Sequence, residues 1–347
     1  MSELRQDLVS GDWIIVAPER FKRPEEILRH KPRRKTPPLK NCPFEDFNLR
    51  KSSIWPPFLS SPSESDWRFI VFPNKYPALR HFPGCSTPLR YGPSNSRTGA
   101  GEHDLVISRS HRKNFADLSK NDALGLLKII QERYRTLSRD KCNVYSSMFC
   151  NWGEGAGASV YHPHYQILTL PIIPPDVFHS LNGSERYFKK HKKCVHCVLL
   201  KFDLKEKKRI IDQNQSAVSI TPFVSRIPFE VRIFPKRHLP YFEKTPEKDL
   251  RAVAVLLQSA LKRIKKYIKD PDFNFFIHTA PFTQPRFSNK SGAGFKGNYD
   301  FYHWHIEITP KISIWGGFEL GTGIDINVVD PETAASVLAG KKLENRK

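Results

Sequence analysis

The sequence predicts an α+β fold built from two tandem copies of one unit, each an antiparallel sheet with a packed helix. Two amphipathic helices of similar length, the strand-like runs around them, and a recurring order of chemically distinctive segments carry that reading. The first helix spans about Asn121 to Leu137, with Leu124, Leu127, Ile130, Tyr134 and Leu137 on one face. Ser119 with Asp122 forms a capping-box pattern at its start. The second spans about Pro246 to Ile268, with Leu250, Val253, Leu257, Leu261 and Ile264 aligned. Thr245 is its expected N-cap, and Pro246 takes the first helical position.

Each helix has the same neighbours. A strand-like run ending in histidine precedes it, Asp104 to His111 in the first half and Val231 to His238 in the second. An apolar strand follows, Asn143 to Phe149 and then Asn274 to His278. A glycine-rich segment and a His-x-His strand come next, the second glycine-rich segment being Ser291 to Gly297. Upstream lies Cys42-Pro-Phe-Glu45 in one half and Cys194-Val-His-Cys197 in the other. Isolated matches arise by chance, but this shared order implies duplication. The boundary falls near Pro171 to Pro175, giving units over residues 1–172 and 173–347. The basic, proline-rich stretch from Arg29 to Leu39 reads as a surface loop, and the tail after Gly340 as a frayed end.

Composition narrows the function. At 347 residues and 39% hydrophobic, the chain can bury a core in each unit, which excludes a mainly disordered protein. It has no long apolar run and no apolar signal core at its start, so a soluble, cytoplasmic protein without a membrane partner is expected. A net charge of +21 suits phosphate-bearing ligands. The lysine clusters, such as Lys189 to Lys193, lack interleaved aromatic residues, so no specific nucleic acid is expected. Cys85, Cys142 and Cys150 read as ordinary thiols, since only Cys194 and Cys197 have metal-type spacing.

The chemistry concentrates between Asn151 and Gln166. If His162 to Leu168 is a strand, His162, His164 and Gln166 share one face. Gly153, Gly155, Gly157 and Ser159 precede them and allow backbone to approach a phosphate closely. Neutral imidazole is a nucleophile near neutral pH without a separate base, and its second nitrogen can be fixed by a carbonyl. Gln166 can donate to a phosphoryl oxygen without altering the charge balance. A lone His-x-His is as readily a metal pair or two core histidines; the glycine loop, Gln166 and the repeat favour phosphorus chemistry.

The His162-Pro-His164-x-Gln166 motif after Asn151 and a glycine loop resembles the galactose-1-phosphate uridylyltransferase branch of the histidine-triad superfamily. So do the opening, from Leu4-Arg5-Gln6-Asp7 to Arg20-Phe21-Lys22-Arg23-Pro24, and Asn74-Lys75-Tyr76-Pro77. Gly316-Gly317-Phe318-Glu319-Leu320-Gly321-Thr322-Gly323 resembles the related ADP-glucose phosphorylase type. The resemblance covers about residues 4–335 and implies two histidine-triad-like units, with His164 as nucleophile and Gln166 as phosphoryl donor. It implies that Ser159 and Asn151 contact phosphate and nucleotide, and that Arg20, Arg23, Asn74 and Tyr76 line the nucleotide pocket. It also implies that Glu319 reaches sugar hydroxyls across a homodimer interface.

Two metal sets follow from the repeat. Cys194, Cys197, His238 and His303 make a Cys₂His₂ set with no open position, the signature of structural Zn²⁺. Such a site is worth about 10 kcal/mol or more in small zinc domains. A rival set, resembling iron ligation in some family members, is His278, His303 and His305. The matching first-half set is Cys42, Glu45, His111 and His162, in which Glu45 replaces the usual second cysteine. Carboxylate oxygen binds zinc too, so this site is either weaker or empty. His103 competes with His111 there, but the repeat aligns His111 with His238.

The implied reaction is transfer of UMP between a UDP-hexose and a hexose 1-phosphate in galactose metabolism, through a nucleotidyl-histidine. The same chemistry with ADP-glucose and phosphate, and a non-catalytic nucleotide or nucleic-acid binder on the same fold, are the alternatives. In the second His-x-His, Glu307 stands where Gln166 stands in the first, so that copy is expected to form no adduct.

Overall fold

In the computed structural model, residues 1–20, 37–282 and 298–341 are described. The expected glycine-rich segment Ser291 to Gly297, most of the Arg29 to Leu39 stretch, Arg23, and the tail from residue 342 lie outside them.

The two helices form as their periodicity requires, over Lys120–Leu137 and Glu247–Tyr267. The Ser119 hydroxyl accepts from the Asp122 backbone N–H at 3.0 Å, satisfying a donor the helix cannot. Thr245 is not the cap of the second helix. Pro246 holds that position, and the Thr245 hydroxyl donates instead to the Tyr241 carbonyl at 3.2 Å.

A ten-stranded sheet carries both halves. Across it run Ile210–Gln213, Ala217–Ile220, Val231–Pro235, His305–Pro310 and Phe273–His278, then Tyr145–Trp152, His164–Leu170, Glu102–Ser108, Phe69–Pro73 and Leu59–Ser61. Outward from the junction of Phe273–His278 with Tyr145–Trp152, the two halves add strands in the same chain order. The junction is antiparallel, with Asn274 opposite Asn151 and Phe275 opposite Cys150. The expected antiparallel sheet and packed helix therefore occur in each half. The histidine-ended runs stop earlier than expected, at Ser108 and Pro235, leaving His111 and His238 on the following turns.

Alternation assigns the two faces. Met148, Cys150, Tyr165, Ile167, Phe275, Ile277, Ile306 and Ile308 face the helices and share one core with them. Residues between them, including Asn151, Gln166, Asn274, His278 and Glu307, are only half-buried and line the opposite face. The helices also brace each other. The Gln131 amide donates to the carbonyls of Phe242 at 3.1 Å and Thr245 at 2.9 Å, just ahead of the second helix. Gln258 does the same to Phe115 at 3.3 Å and Leu118 at 2.8 Å, ahead of the first. This exchange is the internal repeat expressed as hydrogen bonding.

A separate three-stranded sheet pairs Glu3–Gln6 with Trp13–Val16, and the latter in parallel with Asp325–Asn327. Arg5 ties this N-terminal hairpin to Asp330 at 3.2 Å. No helix among the described residues is long and apolar enough to cross a membrane. One cysteine assignment needs correction. Cys85 and Cys142 are bonded to each other across 57 residues rather than standing as separate thiols. Cys150 is a buried free thiol, as expected.

Replacing Gln258 by leucine strands two buried carbonyls without a donor, and a lost partner of this kind costs about 1–3 kcal/mol. Urea denaturation of Gln258→Leu is expected to show that loss with an unchanged slope; a wild-type midpoint would remove Gln258 from the brace.

Candidate active site

The strand carrying the motif begins at His164, not at His162. Pro163 has no N–H for the ladder, so pleated alternation starts only after it. His164 and Gln166 thus share the open face, opposite Ile107 and Leu105 of the neighbouring strand, while His162 turns aside.

Hydrogen bonds fix the His164 ring. Its Nδ1–H donates to the His162 carbonyl at 2.8 Å, so Nε2 carries the lone pair. The residue is only 7% exposed, and burial lowers its pKa, which keeps the imidazole neutral. Phe44, from the Cys42–Glu45 turn, packs edge-on against this ring at 5.1 Å between centroids.

Gln166 is oriented by a residue that sequence reasoning had placed only as a rival metal ligand. The Ala78 backbone N–H donates to His103 Nδ1 at 3.1 Å, which puts the ring proton on Nε2. That N–H donates to Gln166 Oε1 at 2.9 Å, leaving the Gln166 NH₂ as a donor for an incoming oxygen. His103 sits on this face because it lies two residues before Leu105, the strand partner of Gln166. Asn74 reaches the same ring, its Nδ2 3.3 Å from Nε2, and its Oδ1 accepts from the Tyr76 N–H at 3.0 Å. Tyr76 itself is 81% exposed.

Asn151 is the next-to-last residue of the neighbouring strand, and the glycine loop runs on from Trp152 to the exposed Ser159. Gly153 and Gly157 have φ of +91° and +83°, a left-handed region that a side chain would oppose. Arg20 and Glu319 are elsewhere. Arg20 is exposed on the turn leaving the three-stranded sheet, and Glu319 lies in the helix Gly317–Thr322 that leads into that sheet. The Glu319 carboxylate accepts from the Gly316 N–H at 2.9 Å.

Both expected metal sets come together. Ligand atoms of Cys194, Cys197, His238 and His303 lie within 4.8 Å of one another, as do those of Cys42, Glu45, His111 and His162. In the second half, His238 donates Nε2–H to the Asp300 carbonyl at 2.8 Å and turns Nδ1 toward Cys197 at 3.2 Å. Hydrogen bonding from Cys197 and then from His238 favours the Cys194 thiolate, and the same pairing raises Cys197. In the first half, His162 donates Nε2–H to the Ser108 carbonyl at 2.6 Å, leaving Nδ1 3.5 Å from the Cys42 sulfur. His111 Nδ1 and Glu45 Oε1 lie 2.7 Å apart, yet both atoms are buried and neither has a hydrogen-bond partner among the described residues. Buried donor atoms this close without a hydrogen bond between them, in a set whose ligand atoms lie within 4.8 Å of one another, suit a metal ion. Glu45 thus takes the second cysteine's place in space as well as in sequence. The rival set does not assemble, because His303 turns to the thiols, while His278 and His305 gather with Glu307.

The second His-x-His repeats the backbone geometry without the open nitrogen. His305 Nδ1–H donates to the His303 carbonyl at 3.1 Å, but its Nε2 faces Glu307 Oε1 at 3.3 Å. Glu307 also pairs with Arg232 at 2.9 Å.

Residues 1–174 match the model of the galactose-1-phosphate uridyl transferase N-terminal domain. The chain belongs to that family. ADP-glucose phosphorylase of Arabidopsis thaliana is 34% identical to it over 341 residues, 97% of this chain and 92% of the relative. Galactose-1-phosphate uridylyltransferase of Thermotoga maritima is 26% identical, covering 99% and 100%. The crystal structure of the Arabidopsis ADP-glucose phosphorylase with bound ADP-glucose superposes with a TM-score of 0.79 at 31% identity, covering 99% of this chain and 100% of that one. In this family member the motif histidine and glutamine share one strand face, and among the described residues the His164 ring hydrogen-bonds only to the His162 carbonyl, through Nδ1.

The second-half ligand set generates a stability test. Cys194→Ser is expected to lower bound-metal content and melting temperature together. Full metal occupancy in a Cys194→Ser/Cys197→Ser variant would show that the ion sits elsewhere.

Proposed function

We propose that this family member is a nucleotidyltransferase working through a nucleotidyl-histidine at His164, moving UMP between a UDP-hexose and a hexose 1-phosphate. The observation that carries the reading is the His164 ring, neutral by burial and held through Nδ1 so that Nε2 is the nucleophile. Nε2 attacks the α-phosphorus as the bond to the bridging oxygen breaks, and the electron pair leaves on hexose 1-phosphate. No proton moves, because the leaving phosphate is already a stable anion. Positive charge growing on the ring is shared with the His162 carbonyl, and the Gln166 NH₂, aimed by His103, donates to the phosphoryl oxygen. Attack by a phosphate oxygen of the second hexose 1-phosphate then reverses the step and frees His164.

Zn²⁺ suits the thiolate and imidazole donors of Cys194, Cys197, His238 and His303, and more weakly Cys42, Glu45, His111 and His162. Its contribution there is structural. Residues 1–172 act as the catalytic unit and 173–347 as the metal-bearing unit. A homodimer belongs to the same reading, with Arg20 and Glu319, on segments flanking the small sheet, completing the partner's pocket alongside Asn74, Tyr76, Asn151 and Ser159. Cytoplasmic placement belongs to the same reading. The Cys85–Cys142 bridge counts against a reducing compartment, so fractionation of the native source decides it.

A second reading, ADP-glucose as donor and phosphate as acceptor, is favoured by one observation: the 34% identity over 97% of the chain to a protein named ADP-glucose phosphorylase.

Loading the enzyme with UDP-glucose or ADP-glucose, without acceptor, should add one nucleoside monophosphate as an acid-labile, alkali-stable adduct. His164→Ala should abolish it; an adduct at wild-type yield in that variant overturns the assignment. Single-turnover rates divided by concentration separate the donors, a tenfold ratio being about 1.4 kcal/mol of discrimination. Faster loading by ADP-glucose with discharge by phosphate selects the second reading. For the dimer, mixing His164→Ala with Glu319→Ala should recover activity that neither has alone, and no recovery would place Glu319 outside a shared site.

A further inference from the structure

The second half has its His305 Nε2 turned to Glu307, yet two of its side chains hold the glycine loop and Asn151 of the first. Asn274 lies directly across the junction from Asn151. Its Nδ2 donates both hydrogens into the first half, to Asn151 Oδ1 at 2.8 Å and to the Ala156 carbonyl of the glycine loop at 2.8 Å. The bond to Oδ1 sets the amide plane and leaves the Asn151 NH₂ facing the loop, 3.6 Å from where a Cβ on Gly157 would be. Two residues earlier, buried Asp272 accepts the Gly155 backbone N–H at 2.8 Å. A Cβ on Gly153 would overlap the Asp272 carboxylate, so the loop is pressed against this anchor. Asp272 is itself fixed to the second half, where its carbonyl accepts from the Lys311 N–H at 2.7 Å.

These contacts do more than fill space. The glycine loop follows a strand end, and its own bonds, such as Ala158 N–H to the Gly153 carbonyl at 3.1 Å, close only local turns. Its placement relative to His164 depends on partners outside it, and among the described residues Asp272 and Asn274 supply such hydrogen bonds. We propose that Asp272 and Asn274 are positioning residues for nucleotidyl transfer: Asn274 sets the Asn151 amide and Asp272 anchors the glycine loop, so that the non-reacting half templates the phosphate site of the reacting half. This rests on the reading of His164 as nucleophile. It adds a function for the second half, one that acts through Asn151 and the loop without touching substrate.

The test measures single-turnover adduct formation and amide exchange on the metal-loaded full chain. Asn274→Ala is expected to slow adduct formation on His164 about 10- to 100-fold with little change in sugar-nucleotide affinity, because orientation rather than binding is lost. Asn274→Asp, which swaps two donors for acceptors facing acceptors, should be at least as slow. Asp272→Asn keeps an acceptor oxygen and should stay within about threefold of wild type, while Asp272→Ala falls with Asn274→Ala. Asn151→Ala combined with Asn274→Ala should be no slower than Asn151→Ala alone if Asn274 acts mainly through that amide. Metal content and melting temperature check that each variant is folded. Exchange of the Gly155 amide reads the anchor without any chemistry, and Asp272→Ala should speed it at least tenfold. Wild-type labelling that depends on His164 tests the proposed function; the variant ratios and the Gly155 exchange test this inference. Unchanged Gly155 exchange in Asp272→Ala, wild-type rates in Asn274→Ala, or equal damage from Asp272→Asn and Asp272→Ala would each overturn it.

Discussion

The ladder between Tyr145–Trp152 and Phe273–His278 is the interaction on which the rest of the molecule depends. Without it each half would present an edge strand with unpaired backbone groups and a helix with an uncovered flank. With it, two half-sheets become one, and Lys120–Leu137 and Glu247–Tyr267 share a single core. The reciprocal glutamine bonds are possible only because the junction brings each helix beside the turn that precedes the other. Buried amides with both hydrogens used specify one register of packing, where apolar contacts alone would tolerate several.

The same duplication separates two chemistries. Both His-x-His segments lock the second ring through Nδ1 to the carbonyl two residues back. What differs is the neighbour two residues on. Gln166 is neutral and turned outward by His103, so the free nitrogen of His164 stays available. Glu307 is anionic, paired with Arg232, and occupies the nitrogen of His305. A single residue type at one strand position thus distinguishes an open imidazole nitrogen from a closed polar cluster. The two groups that could hold a metal show the converse, since carboxylate and thiolate take corresponding places in them, Glu45 standing where Cys197 stands in the other half.

Much of this was legible in the sequence, and for definite reasons. Period-3.6 apolar spacing marked both helices to within a residue or two, because each buries one face against a sheet. Recurring order revealed the repeat. Ligand types at matching places grouped Cys42, Glu45, His111 and His162, and Cys194, Cys197, His238 and His303, although their members are far apart in the chain. His164 and Gln166 followed from alternation on one strand.

Other relations between distant segments were decided by the tertiary structure alone. Alternation could not show that Pro163 breaks the pleat and sends His162 to the metal set, because that depends on where Ser108 offers its carbonyl. Nor could it show that His103 aims Gln166, which requires the pairing of Glu102–Ser108 with His164–Leu170. The Cys85–Cys142 bond joins residues with no common motif, and the Asp272 and Asn274 contacts exist only across the junction. Sequence by itself determined the elements, the repeat and the reactive residue types, since these reside in local spacing and side-chain chemistry. Strand order and register decided which of those side chains meet, because hydrogen bonds and ligand sets need atoms within a few ångströms, and only the folded chain supplies that proximity.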